Sequence, residues 1–343
     1  MAHNVIFGPV SSRRLGISLG IDIVPMSLCS FDCIYCELGQ TTRKTTERKE
    51  YIPTHKVDKA LEEYFQSGTP SHLDYVTFSG SGEPTLHSEV RHFIDKVKSL
   101  TDRPVAILTN SSLLPDPRVR RDILRADLVV PSLDAASQEV FERINRPSPG
   151  IRVRDVIEGI RLFGREFQGE IWLEVLIVEG VNDAPSELEA IAEAARLIDP
   201  TRVQIGTVVR PPSEGDVYPV DPEDLEDIAS KFRSHFKRPV DAGVEAKLEG
   251  PVGGGAESKG RGPIECQVEI IPTFRRVGDR EFSKHQAERI VAMLRIRPVT
   301  LEELCNTLGM HRREALKYIE GLRRAHDIKS VEFEGKKYYT AEG

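Results

Sequence analysis

Cys29, Cys33 and Cys36 lie within one short stretch, Cys-Ser-Phe-Asp-Cys-Ile-Tyr-Cys, just after the apolar run Gly20 to Pro25. Three thiolates from one loop can hold three corners of an iron-sulfur cube and leave the fourth iron without a protein ligand. An open coordination position is what makes a metal centre catalytic instead of structural. Something else must then bind that iron. A second chemically suggestive stretch, Gly80-Ser81-Gly82-Glu83-Pro84, follows another apolar run. Small residues there let backbone carbonyls approach a ligand closely, and Pro84 stiffens the turn.

The spacing Cys-x3-Cys-x2-Cys, with Tyr35 just before the last cysteine, resembles the cluster loop of the radical S-adenosylmethionine (radical SAM) superfamily. Ser81 to Pro84 resemble that family's Gly-Gly-Glu-Pro element, with Ser81 in place of one glycine. The resemblance implies a [4Fe-4S] cluster on Cys29, Cys33 and Cys36 and an S-adenosyl-L-methionine that chelates the open iron through its amino and carboxylate groups. It further implies one-electron cleavage to a 5′-deoxyadenosyl radical that abstracts hydrogen from a substrate, with an electron donor such as flavodoxin or ferredoxin. By the same resemblance Gly80, Ser81, Gly82, Glu83 and Pro84 meet the methionine amino group. Ser132, Asp134, Glu174 and Val208 are carried into contacts with the ribose, carboxylate and adenine, and Tyr35 and Asn110 join the cofactor-binding set. The residue that acts on the substrate stays unassigned, because loops outside the cofactor motifs choose the substrate.

Upstream, Gly8-Pro9-Val10-Ser11-Ser12-Arg13-Arg14-Leu15-Gly16 joins small and basic residues. Paired arginines beside serines either hold a carboxylate or phosphate of cofactor or substrate near the active-site mouth, or decorate a solvated turn. This segment, running into Leu19-Gly20-Ile21-Asp22, resembles a superfamily subgroup related to the wyosine-type tRNA-modifying Fe-S oxidoreductases.

Zinc and disulfides are the competing uses of the cysteines. A structural zinc asks for four ligands, and the fourth would come from Cys266, Cys305 or one of nine histidines, none of which offers a second paired motif. Five cysteines, three of them clustered, do not make a secreted disulfide framework, and no signal peptide precedes them; the expected compartment is the reducing cytoplasm. Cys266, in an apparent strand to Ile271, reads either as a small buried residue or as a hydrogen donor or ligand of a second cluster.

These residues need a frame, and six β-branched runs supply it: Gly20 to Pro25, Tyr75 to Ser79, Val105 to Asn110, Leu128 to Ser132, Ile171 to Val178 and Val203 to Val209. Helical periodicity lies between them, as in Val57 to Phe65 and Val153 to Phe163, with Pro117, Pro185 and Pro222 near helix starts. Alternating strands and helices predict an α/β protein with a parallel sheet, a partial (β/α)6 barrel. The resemblance implies the same fold. Functional groups of such sheets gather at the C-terminal ends of the strands. That rim then holds the cysteine loop, the Gly80 to Pro84 loop, Asn110 to Ser112, Ser132, Asp134, Gln204 and Thr207 to Arg210. Asp134 could instead cap the following helix, and Glu174 could sit on a half-exposed face between Trp172 and Leu176.

The 343 residues carry a net charge of −7, but Ser283 to Gly343 hold twelve basic residues against nine acidic ones. We therefore expect an N-terminal extension over residues 1–16, the barrel over 17–240, a glycine-rich linker or lid over 241–282, and a separate C-terminal domain over 283–343. Helical patterns at Ser283 to Leu294, Thr300 to Leu308 and His311 to Ala325, then Ile328 to Phe333, a Glu334-Gly335 turn and Lys336 to Thr340, predict a winged helix-turn-helix. Thr300 and Glu303 form a capping box, Gly309 ends the second helix, and Cys305 belongs to its core. The third helix opens His311-Arg312-Arg313, with Lys317 beyond, where a recognition helix meets a nucleic-acid groove; a protein substrate is the other partner such a module takes. Rivals to a radical enzyme of unidentified substrate are an iron-sulfur redox-sensing DNA-binding regulator and a tRNA-modifying radical enzyme. No stretch reaches the apolar length that spans a membrane.

Overall fold

The computed structural model describes residues 5–66, 68–69, 73–210, 212–236, 266–271, 284–296, 298–308, 310–325, 327–333 and 336–341. Six strands form one parallel sheet; five lie where expected to within two residues at either end, whereas the first, expected over Gly20 to Pro25, runs over Gly16–Ile21, four residues earlier. They are β2 (Gly16–Ile21), β5 (Tyr75–Phe78), β6 (Val105–Thr109), β7 (Leu128–Pro131), β8 (Glu170–Ile177) and β9 (Arg202–Thr207), adjacent in that order. Two further strands extend it. β1 (Ile6–Ser12) pairs antiparallel with β2 at one edge, and β10 (Gln267–Ile270) pairs parallel with β9 at the other. The sheet therefore runs past both expected limits: the segment read as an N-terminal extension supplies β1, and the segment read as linker or lid supplies β10. The glycine-rich run itself lies outside the described residues. Short strands β3 (Leu28–Cys29) and β4 (Arg43–Lys44) pair beside the main sheet.

Helices α1 (Thr54–Phe65), α2 (Val90–Leu100), α3 (Pro117–Ile123), α4 (Gln138–Asn145), α5 (Val153–Glu166), α6 (Pro185–Ile198) and α7 (Pro222–Phe236) lie between and after the strands. Pro117, Pro185 and Pro222 open α3, α6 and α7, where a missing N–H costs no helical bond. Strand side chains alternate between two apolar layers, as period-2 geometry requires. Val129, Leu173 and Val175 pack with the helices, whereas Leu128, Val130, Ala106 and Trp172 form a smaller cluster on the sheet's other face.

The C-terminal segment has its own core. It comprises α8 (Lys284–Ile296), β11 (Val299–Thr300), α9 (Leu301–Leu308), α10 (Arg312–Arg324), β12 (Ile328–Phe333) and β13 (Lys336–Ala341), with sheet order β11-β13-β12. Ile290, Leu294, Leu304, Ile319, Leu322 and Tyr339 pack together there, and Cys305 lies against them, as expected. The Thr300 hydroxyl accepts from the Glu303 N–H at 3.2 Å while the Glu303 carboxylate accepts from the Thr300 N–H at 2.8 Å, a reciprocal cap for α9. Gly309 and the Glu334-Gly335 turn lie outside the described residues.

Candidate functional site

The cysteine loop is anchored by the end of a helix. The last carbonyls of a helix lack intrahelical donors. Here the Asn145 carbonyl accepts from the Asp32 N–H and the Ile144 carbonyl from the Ile34 N–H, each at 3.0 Å. Arg146 ends α4 in a left-handed conformation, φ 44°. The loop after β9 closes on the same stretch, its Ser213 hydroxyl donating to the carbonyls of Cys33 and Ile34. Two amides then aim at sulfur: Asn110 Nδ2 lies 3.3 Å from Cys29 Sγ and Asn145 Nδ2 lies 3.4 Å from Cys33 Sγ. Burial raises all three thiols, Cys29 to about 12, so ionising them calls for a cation at the site.

The Gly80 to Pro84 loop is built around two carboxylates. Asp22 Oδ2 accepts from both the N–H and hydroxyl of Ser81, and a Cβ on Gly80 would come within 2.2 Å of the Asp22 carboxyl carbon. Ser81 thus contributes a hydrogen bond as well as small size. A Cβ on Gly82 would meet the Leu28 carbonyl oxygen at 1.8 Å, so this glycine serves the close approach of the loop to the cysteine strand. Glu83 is buried; Oε1 accepts from the Thr85 N–H and hydroxyl and from the Thr109 hydroxyl, and Oε2 from the Asn110 N–H at 2.7 Å. Burial still outweighs these donors and raises its pKa. Glu83 therefore positions Asn110, which in turn faces Cys29.

Both loops open on a cavity of about 300 Å³. Of the residues expected at a cofactor, Cys29, Cys33, Cys36, Tyr35, Ser81, Gly82, Glu83, Asn110, Ser132, Glu174 and Val208 line it. Gly80 and Pro84 do not; they shape the loop behind it. Asp134 also stands apart. It neither caps α4, a task Ser137 performs, nor lines the large cavity. Its carboxylate accepts from the Tyr35 hydroxyl, from Asn145 at 2.8 Å and from the Leu176 N–H at 3.0 Å, and burial lifts it to about 6. Tyr35 thus turns its hydroxyl inward to Asp134. Glu174 faces the cavity and pairs with Arg14 through both guanidinium ends. The Arg13-Arg14 segment is accordingly the β1–β2 turn at the site, with Arg14 meeting a carboxylate of the protein itself.

The expectation that Arg313 and Lys317 are presented to a groove fails for a geometric reason. α10 turns that end toward the β1–β2 edge of the sheet. Arg313 Nε donates to the Gly80 carbonyl at 2.9 Å, and Lys317 lines the cavity. His311 caps α10 by accepting the Arg313 N–H on Nδ1, reaches Asp22 with Nε2 at 2.9 Å and stacks on Phe7 at 4.1 Å between centroids. Glu37, unforeseen in the sequence, sits between Arg210 and Arg313. Burial alone would raise Glu37, but Arg210 and Arg313 outweigh it and hold its pKa at about 2. Its position directly after Cys36 was the available signal. Asn145 had none, since it is 112 residues from Cys33.

The family model for the radical SAM superfamily matches residues 23–195, a span that holds the three cysteines and the Gly80 to Pro84 loop. The chain belongs to the radical SAM superfamily. As a radical SAM enzyme it uses a [4Fe-4S] cluster and S-adenosylmethionine. It is similar to a protein named GTPase Obg of Brachyspira hyodysenteriae, 39% identical over 246 residues, which cover 71% of this chain and 36% of that protein. It is also similar to a UPF0026 protein of Methanocaldococcus jannaschii, 36% identical over 66% of this chain and 71% of that one. Among solved structures, Streptococcus suis SuiB bound to S-adenosylmethionine aligns with 73% of this chain and 50% of its own, at 12% identity and a TM-score of 0.49. No helix among the described residues is long and apolar enough to cross a membrane.

Proposed function

We propose that Cys29, Cys33 and Cys36 hold the cluster and that Ser81 to Glu83, Asn110, Ser132, Glu174 and Val208 surround the bound S-adenosylmethionine. The observation that carries this is the convergence of the three cysteines and the Gly80 to Pro84 loop on one cavity, with amide donors already aimed at two of the sulfurs. When bound, the cluster and S-adenosylmethionine supply reductive cleavage to a 5′-deoxyadenosyl radical for hydrogen abstraction. The chain's own residues orient the loop and donate to sulfur.

In this reading residues 17–240 are the barrel, flanked in one sheet by β1 and β10, and residues 283–343 are a winged helix-turn-helix docked on the barrel through α10. That docking disfavours the DNA-binding regulator, because Arg313 and Lys317 already face the site. An external electron donor supplies the reducing equivalent. The test is anaerobic incubation of the reconstituted protein with dithionite and S-adenosylmethionine, with 5′-deoxyadenosine measured by chromatography. Slow release without added substrate is expected; none from a sample with an intact cluster would contradict the proposal.

A further inference from the structure

The two loops that open on the cavity are tied together by a residue that belongs to neither. Arg313 of α10 donates from Nε to the Gly80 carbonyl at 2.9 Å, and its Nη1 lies 3.6 Å from the carboxylate of Glu37, the residue after Cys36. One guanidinium of the C-terminal segment therefore spans the Gly80 to Pro84 loop and the cysteine loop. A second tie runs through Asp22, whose side chain is 1% exposed. A buried carboxylate is tolerated only where donors surround it. Asp22 Oδ2 takes two donors from Ser81, the N–H at 3.1 Å and the hydroxyl at 2.6 Å, and a third from His311 Nε2 at 2.9 Å. Because His311 Nδ1 accepts the Arg313 N–H, the ring proton sits on Nε2, which donates to Asp22. The ring is fixed in turn by its stack on Phe7, 12° from parallel. Closer in sequence to the cysteines, the Ser27 N–H donates to the Ser81 carbonyl at 2.8 Å and the Leu28 carbonyl accepts the Glu83 N–H at 3.3 Å. Those bonds hold Ser81 and Glu83, whereas the Gly80 carbonyl is met by Arg313.

We propose that His311 and Asp22 are positioning residues for the cofactor, with Arg313 as the second tie: the C-terminal segment sets the loop that receives S-adenosylmethionine, and full cofactor affinity depends on a docked tail. This goes beyond the reading of the cavity as the S-adenosylmethionine chamber and rests on it. Neither His311 nor Asp22 lines the cavity, so their effect is indirect, carried through Ser81, which does. A loop held in its binding conformation before the ligand arrives loses less freedom on binding, and affinity rises by that amount. The cysteine loop has separate anchors in the end of α4 and in Ser213, so iron uptake should survive loss of the His311 contact.

His311→Asn separates positioning from capping, since asparagine still caps α10 but is too short to reach Asp22. In the reconstituted, reduced full-length protein, S-adenosylmethionine is titrated against the electron paramagnetic resonance signal of the cluster. The dissociation constant should rise about tenfold in His311→Asn, with iron content and hydrogen exchange along α10 as in the parent. Arg313→Met should weaken binding too, and Arg313→Lys, which returns a donor to the Gly80 carbonyl, should recover part of the loss. Lys329→Gln, exposed on β12, should bind as the parent does. A second readout needs no cofactor: in the cluster-free His311→Asn protein, hydrogen exchange over the Gly80 to Pro84 loop should be faster than in the parent. Unchanged affinity in His311→Asn, unchanged loop exchange, or weaker binding accompanied by lost iron would each overturn the proposal. A parent indifferent to S-adenosylmethionine would contradict the chamber reading itself, whereas a responsive parent matched by His311→Asn overturns this inference alone.

Discussion

Asn110 is where the cofactor loop and the cluster loop meet, because Glu83 accepts its N–H while its side-chain amide faces Cys29 Sγ. Hydrogen bonds to cluster sulfurs raise the reduction potential by stabilising the more negative reduced state. Asn110→Leu should therefore keep its iron and shift the midpoint to a more negative value in a redox titration; an unchanged midpoint would show that the amide does not address the cluster. Gly82→Ala should destabilise the fold by about 2 kcal/mol or more in thermal unfolding and lower iron loading, since backbone cannot yield cheaply at a 1.8 Å contact. At this scale the sequence was most readable where spacing is local, since Cys29, Cys33 and Cys36 do line one cavity. Glu83 was legible as a residue of the site but not as the acceptor that holds Asn110. Asp134 and Tyr35 were assigned to the cofactor, yet they satisfy one another in a buried network with Asn145. Partners of that kind are set by packing between distant segments, and neither composition nor spacing encodes them.

The elements were legible where their periodicity is strong. Five β-branched runs gave parallel strands in place, the Gly20 to Pro25 run misplaced its strand by four residues because the chain leaves the sheet after Ile21, and proline positions marked three helix starts. β1 was hidden because Gly8, Pro9 and the serines read as a turn, although Phe7 lies over Gly20 and covers β2. The orientation of α10 was illegible too, since a helix opening with basic residues reads alike whether it faces a groove or a barrel. His311→Ala removes a helix cap, worth about 1 kcal/mol, and leaves the buried Asp22 without its imidazole partner. Hydrogen exchange should then rise along α10 and the β1–β2 edge while the central strands stay protected; equal protection throughout would mean that other contacts hold the helix. Acid should loosen the same junction. Glu37 has its pKa held down from the ordinary 4.5 to about 2 in the fold, so the stability it contributes is present above about 4.5 and is lost as pH falls toward 2. Glu37→Gln should flatten the acid limb of the unfolding profile in that window, and an unaltered limb would remove Glu37 from the account.

The molecule joins two cores, one under the parallel sheet and one in the C-terminal segment, through His311, Arg313 and the ion pairs of Arg210 with Glu37 and Glu320. Separate cores mean that the barrel should fold and take up iron after deletion of residues 283–343. The deletion also removes Arg313 and Lys317 from the cavity lining, so its cluster should bleach faster in air than that of the full chain, followed by loss of visible absorbance. Equal bleaching would show that the tail does not shield the site. The central claim is that three cysteines hold a cube whose fourth iron is left for S-adenosylmethionine. It is tested most directly by iron analysis and electron paramagnetic resonance of the anaerobically reconstituted, reduced protein, before and after S-adenosylmethionine is added, beside Cys33→Ala. The account predicts about four irons per chain, a cluster signal that changes when S-adenosylmethionine binds, and neither property in the variant. One tightly bound zinc in place of iron, or a cluster signal indifferent to S-adenosylmethionine, would contradict it.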